Sequence, residues 1–299
     1  MTSVVALYRF TPLSDLPALQ ADVRALGARE GLRGTLLLAP EGLNGTLAGP
    51  REGLERLMGQ LRSWPGCADL EGRFSTAAEM PFARLKVRLK REIVTMGRTD
   101  VQPSDGTGRY VAPEAWNALI SAPDVTVIDT RNAYEVRLGT FSGAIDPQIE
   151  SFSDFPAWWE AHAERFKNQR IAMFCTGGIR CEKSTALLTA QGVSEVYHLE
   201  GGILSYLEHV PEAESQWHGE CFVFDQRVAL SHGLAQGTAG MCHACRRPVT
   251  PEDMASDTWE EGVSCPLCIG EYTNADRTRF RERQRQVALA ARRGVRHMA

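Results

Sequence analysis

One segment restricts the fold of this chain more than any other: Ile171-Ala-Met-Phe-Cys175-Thr-Gly-Gly-Ile-Arg180-Cys181-Glu-Lys-Ser184. An unbroken apolar run ending on a cysteine reads as a strand buried on both faces, and such strands belong to parallel sheets covered by helices. Two glycines and a helical continuation follow at once. Cys175 therefore stands at the carboxyl end of its strand, where open α/β sheets form their sites. Gly177 and Gly178 let successive backbone N–H groups turn inward as an anion-binding nest, which the helix N-terminus and Arg180 reinforce. Such a field lowers a thiol pKa from about 8.5 and favours the thiolate. It suits a persulfide or another anionic adduct equally well. A core cysteine beside a glycine turn is the plainer reading of an isolated thiol, but the whole strand–loop–helix frame argues for a site. Cys175 and Arg180 are its catalytic candidates, and Thr176, Gly177, Gly178 and Ile179 form its loop. Cys181 reads either as a resolving thiol for an oxidised Cys175 or as a packed core thiol.

The flanking pattern agrees with this frame. Pro113–Ile120 looks helical, Val125–Asp129 is a buried-type strand, and Trp158, Trp159 and Phe166 lie on a further helix. Thr185–Ala190 belongs to a helix closed by Gly192, and Val196–Leu199 is another strand. Alternating strands and helices imply a parallel sheet, an α/β domain over residues 111–215. Upstream, Val4–Phe10 reads as a strand, and Leu16, Leu19, Val23 and Leu26 recur at helical spacing behind Ser14 or Asp15. Thr35–Ala39 and Asn44–Ala48 form a hairpin, and Leu54, Leu57, Met58 and Leu61 mark a second helix. Phe82–Val94 alternates as a closing strand, while residues 67–80 carry no clear pattern. The order β-α-β-β-α-β predicts a ferredoxin-like α+β unit over residues 1–95. Residues 96–110, rich in Gly, Pro, Ser and Asp, read as a linker.

Residues 216–276 hold Cys242-His-Ala-Cys245 and, after nineteen residues, Cys265-Pro-Leu-Cys268. Paired knuckles at this spacing supply four thiolates to one tetrahedral ion, so Cys242, Cys245, Cys265 and Cys268 are candidate ligands of a structural zinc. Four free thiols or two disulfides are the alternatives. His243 is a bystander, because four thiolates complete the shell, and Cys67 and Cys221 read as structural.

With 299 residues, 43% of them hydrophobic and 23% charged, the chain is neither disordered, collagenous nor a small disulfide-stapled fold. No run approaches the ~20 apolar residues of a membrane span and no signal pattern opens the chain, so a cytoplasmic protein without membrane contact is expected. The net charge of −4 argues against a generic nucleic-acid binder, yet it is an average. Arg84, Lys86, Arg88 and Lys90 alternate with Leu85, Val87 and Leu89, which sends four cations to one face of a strand. The tail, residues 277–299, has eight arginines against one glutamate and reads as a solvated helix end or a disordered extension. A solvated face is the common meaning of such alternation. Like charges in register without acids between them nevertheless make a polyanion, RNA, a plausible partner.

The cysteine loop resembles that of the rhodanese family, as do Val127-Ile-Asp129-Thr-Arg131-Asn-Ala-Tyr-Glu135, Gly139-Thr-Phe-Ser-Gly143 and Gly192-Val-Ser-Glu-Val-Tyr-His-Leu-Glu-Gly201-Gly202-Ile. The resemblance implies a catalytic Cys175 able to carry sulfur. Four residues separate Cys175 from Arg180, against five in the related phosphatase loops, which disfavours a phosphatase. Arg131 and Glu135, at i, i+4, read as a structural pair. A closer similarity spans nearly the whole chain. Glu41-Gly-Leu-Asn-Gly-Thr46, Phe82–Ile93, Cys175–Lys183, Trp217–Val228, the cysteine pairs and Phe280–Gln286 are similar to the tRNA uridine hydroxylase family (TrhO, also YceA). That resemblance implies oxygen-dependent hydroxylation of the wobble uridine at carbon 5, with molecular oxygen as co-substrate, the tRNA anticodon loop as partner and an unidentified electron donor. The sequence carries no flavin or haem motif. A rhodanese-type sulfurtransferase or a tRNA thiolation factor using a Cys175 persulfide is the alternative.

Overall fold

The computed structural model describes residues 1–293. Strand β1 (Thr2–Phe10) is followed by helix α1 (Leu16–Arg29), strands β2 (Arg33–Ala39) and β3 (Gly42–Gly49), helix α2 (Arg51–Arg62), and strands β4 (Gly72–Ala77) and β5 (Leu85–Leu89). They form a five-stranded sheet in the order β4-β1-β3-β2-β5. Val5 and Leu7 of β1, Leu36 and Leu38 of β2, and Leu43 and Leu47 of β3 bury against Val23, Leu26, Leu54, Leu57, Met58 and Leu61 of the two helices. Helices thus cover one face of the sheet, and period-two alternation leaves Tyr8, Asn44, Thr46 and Arg73 on the other.

The ferredoxin-like unit is present, but the strand that closes it is not the expected one. The sixth element is β4, from the patternless stretch 67–80. Its Gly-Arg-Phe-Ser-Thr-Ala sequence pairs with β1 by backbone hydrogen bonding and offers little apolar periodicity. The basic strand is shorter than expected and adds to the far edge as β5, parallel to β2. Its apolar positions Leu85 and Val87 join the core, while Arg84, Arg88 and Lys90 are exposed and Lys86 is half-buried.

The central region contains β6 (Arg109–Val111), α3 (Pro113–Ile120), β7 (Val125–Asp129), α4 (Ala133–Val136), β8 (Gly139–Phe141), α5 (Phe155–His162), β9 (Arg170–Phe174), α6 (Ile179–Ala190), β10 (Val196–Leu199) and α7 (Gly202–His209). A four-stranded parallel sheet runs β6-β10-β9-β7. Along β9, Ile171 and Met173 pack with α5 and α6, and Ala172 and Phe174 pack with α3 and α7. That double burial is why the strand reads as a continuous apolar run.

The C-terminal region is short of regular structure. Trp217–Gly219 pairs antiparallel with β8, Cys221–Phe222 pairs with Ala229–Leu230, and Gly240–Met241 pairs with Pro248–Val249. A helix spans Asn274–Arg292, capped by Thr273 and Asp276. It is no free extension. Arg281 grips Glu260 at 2.6 and 2.5 Å, and Arg283 donates to the carbonyls of His243 and Gly262 at 2.8 and 2.9 Å. The tail helix is therefore strapped over the cysteine-rich region. Residues 294–299 of the expected basic tail lie outside the described residues. Among the described residues no helix is long and apolar enough to cross a membrane.

Candidate active site and cysteine cluster

Cys175 follows the last residue of β9 and is fully buried. Gly178, the α6 N-cap at φ 97°, turns its N–H onto the Cys175 Sγ at 3.2 Å. Burial by itself pushes this thiol up. The Cys181 thiol, the Arg180 guanidinium and the amides of Cys181 and Arg180 outweigh burial and hold Cys175 well below the ordinary thiol range. Cys181 is displaced the other way, by burial and by the neighbouring Cys175, so Cys181 keeps its proton and Cys175 carries the charge. Cys181 also contacts the Thr130 hydroxyl at 3.6 Å. Glycine is needed opposite the loop as well, because a Cβ at Gly202 (φ 67°) would lie 2.5 Å from the Cys175 carbonyl oxygen.

Arg180 reaches Cys175 through its charge and its amide, while its side-chain nitrogens are committed elsewhere. They form a bidentate pair with Glu135 at 2.6 and 2.8 Å, and one also donates to the Thr176 hydroxyl at 3.2 Å. Glu135 is completely buried; burial raises its pKa, but Arg180 overcomes that and keeps the carboxylate charged. The expected Arg131–Glu135 side-chain pair is absent. Arg131 instead binds Asp129 at 2.6 and 2.9 Å and the Gly139 carbonyl at 2.6 Å. Because α4 is only four residues long, the i, i+4 rule for continuous helices does not bring these side chains together.

Sequence reasoning missed the N-terminal contribution. A cleft of ≈ 1280 Å³ lies between the open face of the first sheet and the cysteine loop, with Cys175 in its lining. Tyr8 of β1 donates to Glu182 of α6 at 2.8 Å, and a Cβ on Gly178 would lie 2.8 Å from the Tyr8 hydroxyl. Burial holds Glu182 above the usual carboxyl range despite the Tyr8 and Tyr110 hydroxyls. The parity of β1 could have placed Tyr8 on the open face, but no local signal says what that face meets. Beneath the cleft, Lys183 is fully buried between Glu41 (2.8 Å) and Glu92 (2.5 Å), joining α6 to the first domain.

The basic residues of β5 share the open sheet face. Strand register places Lys86 beside Thr35, Thr46, Ala6 and Arg73 in one row, and Arg88 beside Leu37, Asn44 and Tyr8 in the next. None of Arg84, Lys86, Arg88 and Lys90 forms an ion pair among the described residues.

Cys242, Cys245, Cys265 and Cys268 converge, with all four sulfurs within 4.8 Å of one another. Sulfur separations of 3.9, 3.8 and 3.6 Å are too long for disulfides. They match the roughly 3.8 Å edge of a tetrahedron with metal–sulfur distances of about 2.3 Å. The cluster therefore fits a metal ion. His243 is exposed and outside it, and Cys67 and Cys221 are buried elsewhere.

Residues 2–93 match the family model described as a UPF0176 acylphosphatase like domain, and residues 112–209 match the rhodanese-like domain. The chain is 60% identical to the tRNA uridine(34) hydroxylase of Jannaschia sp. (strain CCS1), covering 100% of this chain and 99% of that one. It is 58% identical to the proteins of the same name from Ruegeria pomeroyi, covering 100% and 99%, and from Gluconobacter oxydans, covering 99% and 96%. With such identity from end to end, the chain belongs to the tRNA uridine(34) hydroxylase family.

Proposed function

We propose that this protein hydroxylates carbon 5 of the uridine at position 34 of tRNA, giving 5-hydroxyuridine, with the Cys175 thiolate as nucleophile. The observation that carries the reading is a buried sulfur, turned toward anionic form by the Gly178 amide and the Arg180 charge, that lines a cleft between two domains. A thiolate adds to carbon 6 of a uracil ring and makes carbon 5 electron-rich. Carbon 5 then takes one atom of molecular oxygen, while a two-electron donor reduces the other atom to water. Loss of the carbon-5 proton and departure of Cys175 from carbon 6 restore the ring.

Arg180, held by Glu135, acts as a positioning residue that stabilises the thiolate, and Thr176, Gly177, Gly178 and Ile179 shape the loop. Cys181 supplies a proton-bearing neighbour and a resolving thiol if Cys175 is oxidised. Arg84, Lys86, Arg88 and Lys90 contact tRNA phosphates, which position the RNA without reading its sequence. Cys242, Cys245, Cys265 and Cys268 hold a structural zinc, which orders a region with little core of its own. The labour divides over residues 1–95 and 111–215, joined by the linker 96–110, with 216–276 and the tail 277–299 as support, and the reaction takes place in the cytoplasm.

The test is mass spectrometry of tRNA nucleosides from cells lacking the protein, complemented with wild type or with Cys175→Ser. Wild type should restore 5-hydroxyuridine and its derivatives, and Cys175→Ser should not. Normal 5-hydroxyuridine in the variant refutes the mechanism. Loss of a thiolated uridine instead would assign sulfur transfer from a Cys175 persulfide.

A further inference from the structure

We propose that Phe224 is the platform on which a nucleobase stacks as it enters the cleft without its phosphates, an inference that rests on the RNA reading above. The ring is 64% exposed and lines the same cleft as Cys175. Its neighbour Phe222 is buried and meets it edge-on, with ring centroids 5.0 Å apart.

The exposure is built in. Val223 N–H donates to the Val228 carbonyl at 2.8 Å, closing the loop that carries Phe224. Arg227 grips Asp225 at 2.6 and 2.9 Å, and its remaining nitrogen donates to the Ser75 hydroxyl of β4 at 2.9 Å. The loop that carries Phe224 is thus closed on itself and tied to the first sheet. Val228 adopts φ 64°, a left-handed conformation that a β-branched residue takes only when its surroundings impose it.

Charge defines the ligand class. Four arginines line the cleft, and each is paired: Arg9 with Asp69 at 2.9 Å, Arg73 with Glu208 at 3.2 Å, Arg180 with Glu135 at 2.6 Å, and Arg227 with Asp225 at 2.6 Å. Asp69, Glu208 and Asp225 are themselves in the lining, so a phosphate would face carboxylates, and each guanidinium there already has an acidic partner. An uncharged aromatic base meets no such penalty. Cations without carboxylate partners, Arg84, Lys86, Arg88 and Lys90, lie on and beside β5 at the far edge of the same sheet face, where a phosphate chain can lie. Single-stranded bases commonly splay out onto aromatic side chains in this manner.

The experiment measures binding of an anticodon stem-loop RNA to the full chain, with uridine or an abasic site at position 34. Phe224→Ala should weaken uridine-34 RNA by roughly tenfold to hundredfold, the range of base–aromatic stacking. Phe224→Trp should retain the affinity. The abasic RNA should lose a similar factor with wild type and little more with Phe224→Ala, since both changes delete the same stacked pair. Wild-type affinity in Phe224→Ala, or abasic and alanine penalties that simply add, overturns the proposal. A ring that serves a protein partner gives the first of these results. Failure of the RNA reading shows separately, as wild-type protein that does not bind the uridine-34 RNA at all, whereas failure of the stacking platform leaves that binding intact in Phe224→Ala.

Discussion

Replacing Lys183 with methionine would test how the two halves of the cleft are held together. The Lys183 Nζ donates to Glu92 Oε2 at 2.5 Å, to Glu41 at 2.8 and 3.1 Å and to the Val94 carbonyl at 3.4 Å, and the side chain is wholly shielded from water. Lys183→Met keeps the apolar stem and strands two buried carboxylates. Removing one partner of a buried pair costs about 3–5 kcal/mol. Three amides remain to soften the loss: Ile93 on Glu41 at 2.7 Å, and Met96 and Gly97 on Glu92, both at 3.1 Å. The expected cost is therefore at the lower end, about 3 kcal/mol, or roughly 6–12 °C in Tm for a chain of this size. In the wild type, burial works to raise Glu92, but Lys183 and the Met96 amide prevail and hold it below the ordinary carboxyl range. That carboxylate stabilises the fold above its unfolded pKa of about 4.3, and the contribution is lost as pH falls through the lower folded value. In the variant burial is opposed only by the Met96 and Gly97 amides and the folded pKa rises, so acidification relieves the stranded charge. The stability gap between wild type and variant should narrow from pH 7 to pH 5, read by calorimetry or denaturant titration. A variant with wild-type Tm, or a gap that is constant with pH, refutes the reasoning, and Lys183→Met with Glu92→Gln should recover part of the loss.

Because Cys175 is held below the ordinary thiol range, its alkylation by iodoacetamide should stay independent of pH from 8 down to below 7, whereas Cys67, pushed up by burial, stays unreactive; a Cys175 midpoint at or above about 8.5 contradicts the anion nest. Purified protein should contain one zinc per chain by elemental analysis. Cys265→Ser should lose it along with the protease resistance of the Asn274–Arg292 helix, and a metal-free wild type with an intact helix contradicts the site. Replacing Arg84, Arg88 and Lys90 together by glutamine should weaken tRNA binding and flatten its salt dependence, by about 0.7–0.9 in the log–log slope for each phosphate left without a cation; an unchanged slope places the phosphates elsewhere.

The cysteine loop and its sheet were legible because each rests on local chemistry. A doubly buried strand must be apolar along its length, the turn into α6 needs glycine, and a four-thiolate cluster leaves its spacing in the chain. Strand β4 was not legible, since a strand held by backbone pairing with β1 needs little apolar periodicity. The Arg131–Glu135 reading failed for a related reason. Helical spacing states which side chains are neighbours in a continuous helix, and α4 is a single turn in which Arg180, 45 residues away in sequence, takes the carboxylate.

The domain types, the candidate cysteine loop and the four-cysteine cluster were all readable along the chain, because each depends on residues close together in it. Long-range packing alone makes the open face of the first sheet the opposite wall of the Cys175 cleft, has Lys183 lock the two walls together, and leaves Phe224 exposed at that cleft. These are meetings between residues far apart in sequence, 174 positions in the case of Tyr8 and Glu182. Their energy comes from burial and charge pairing across a domain interface, which neither periodicity nor spacing records.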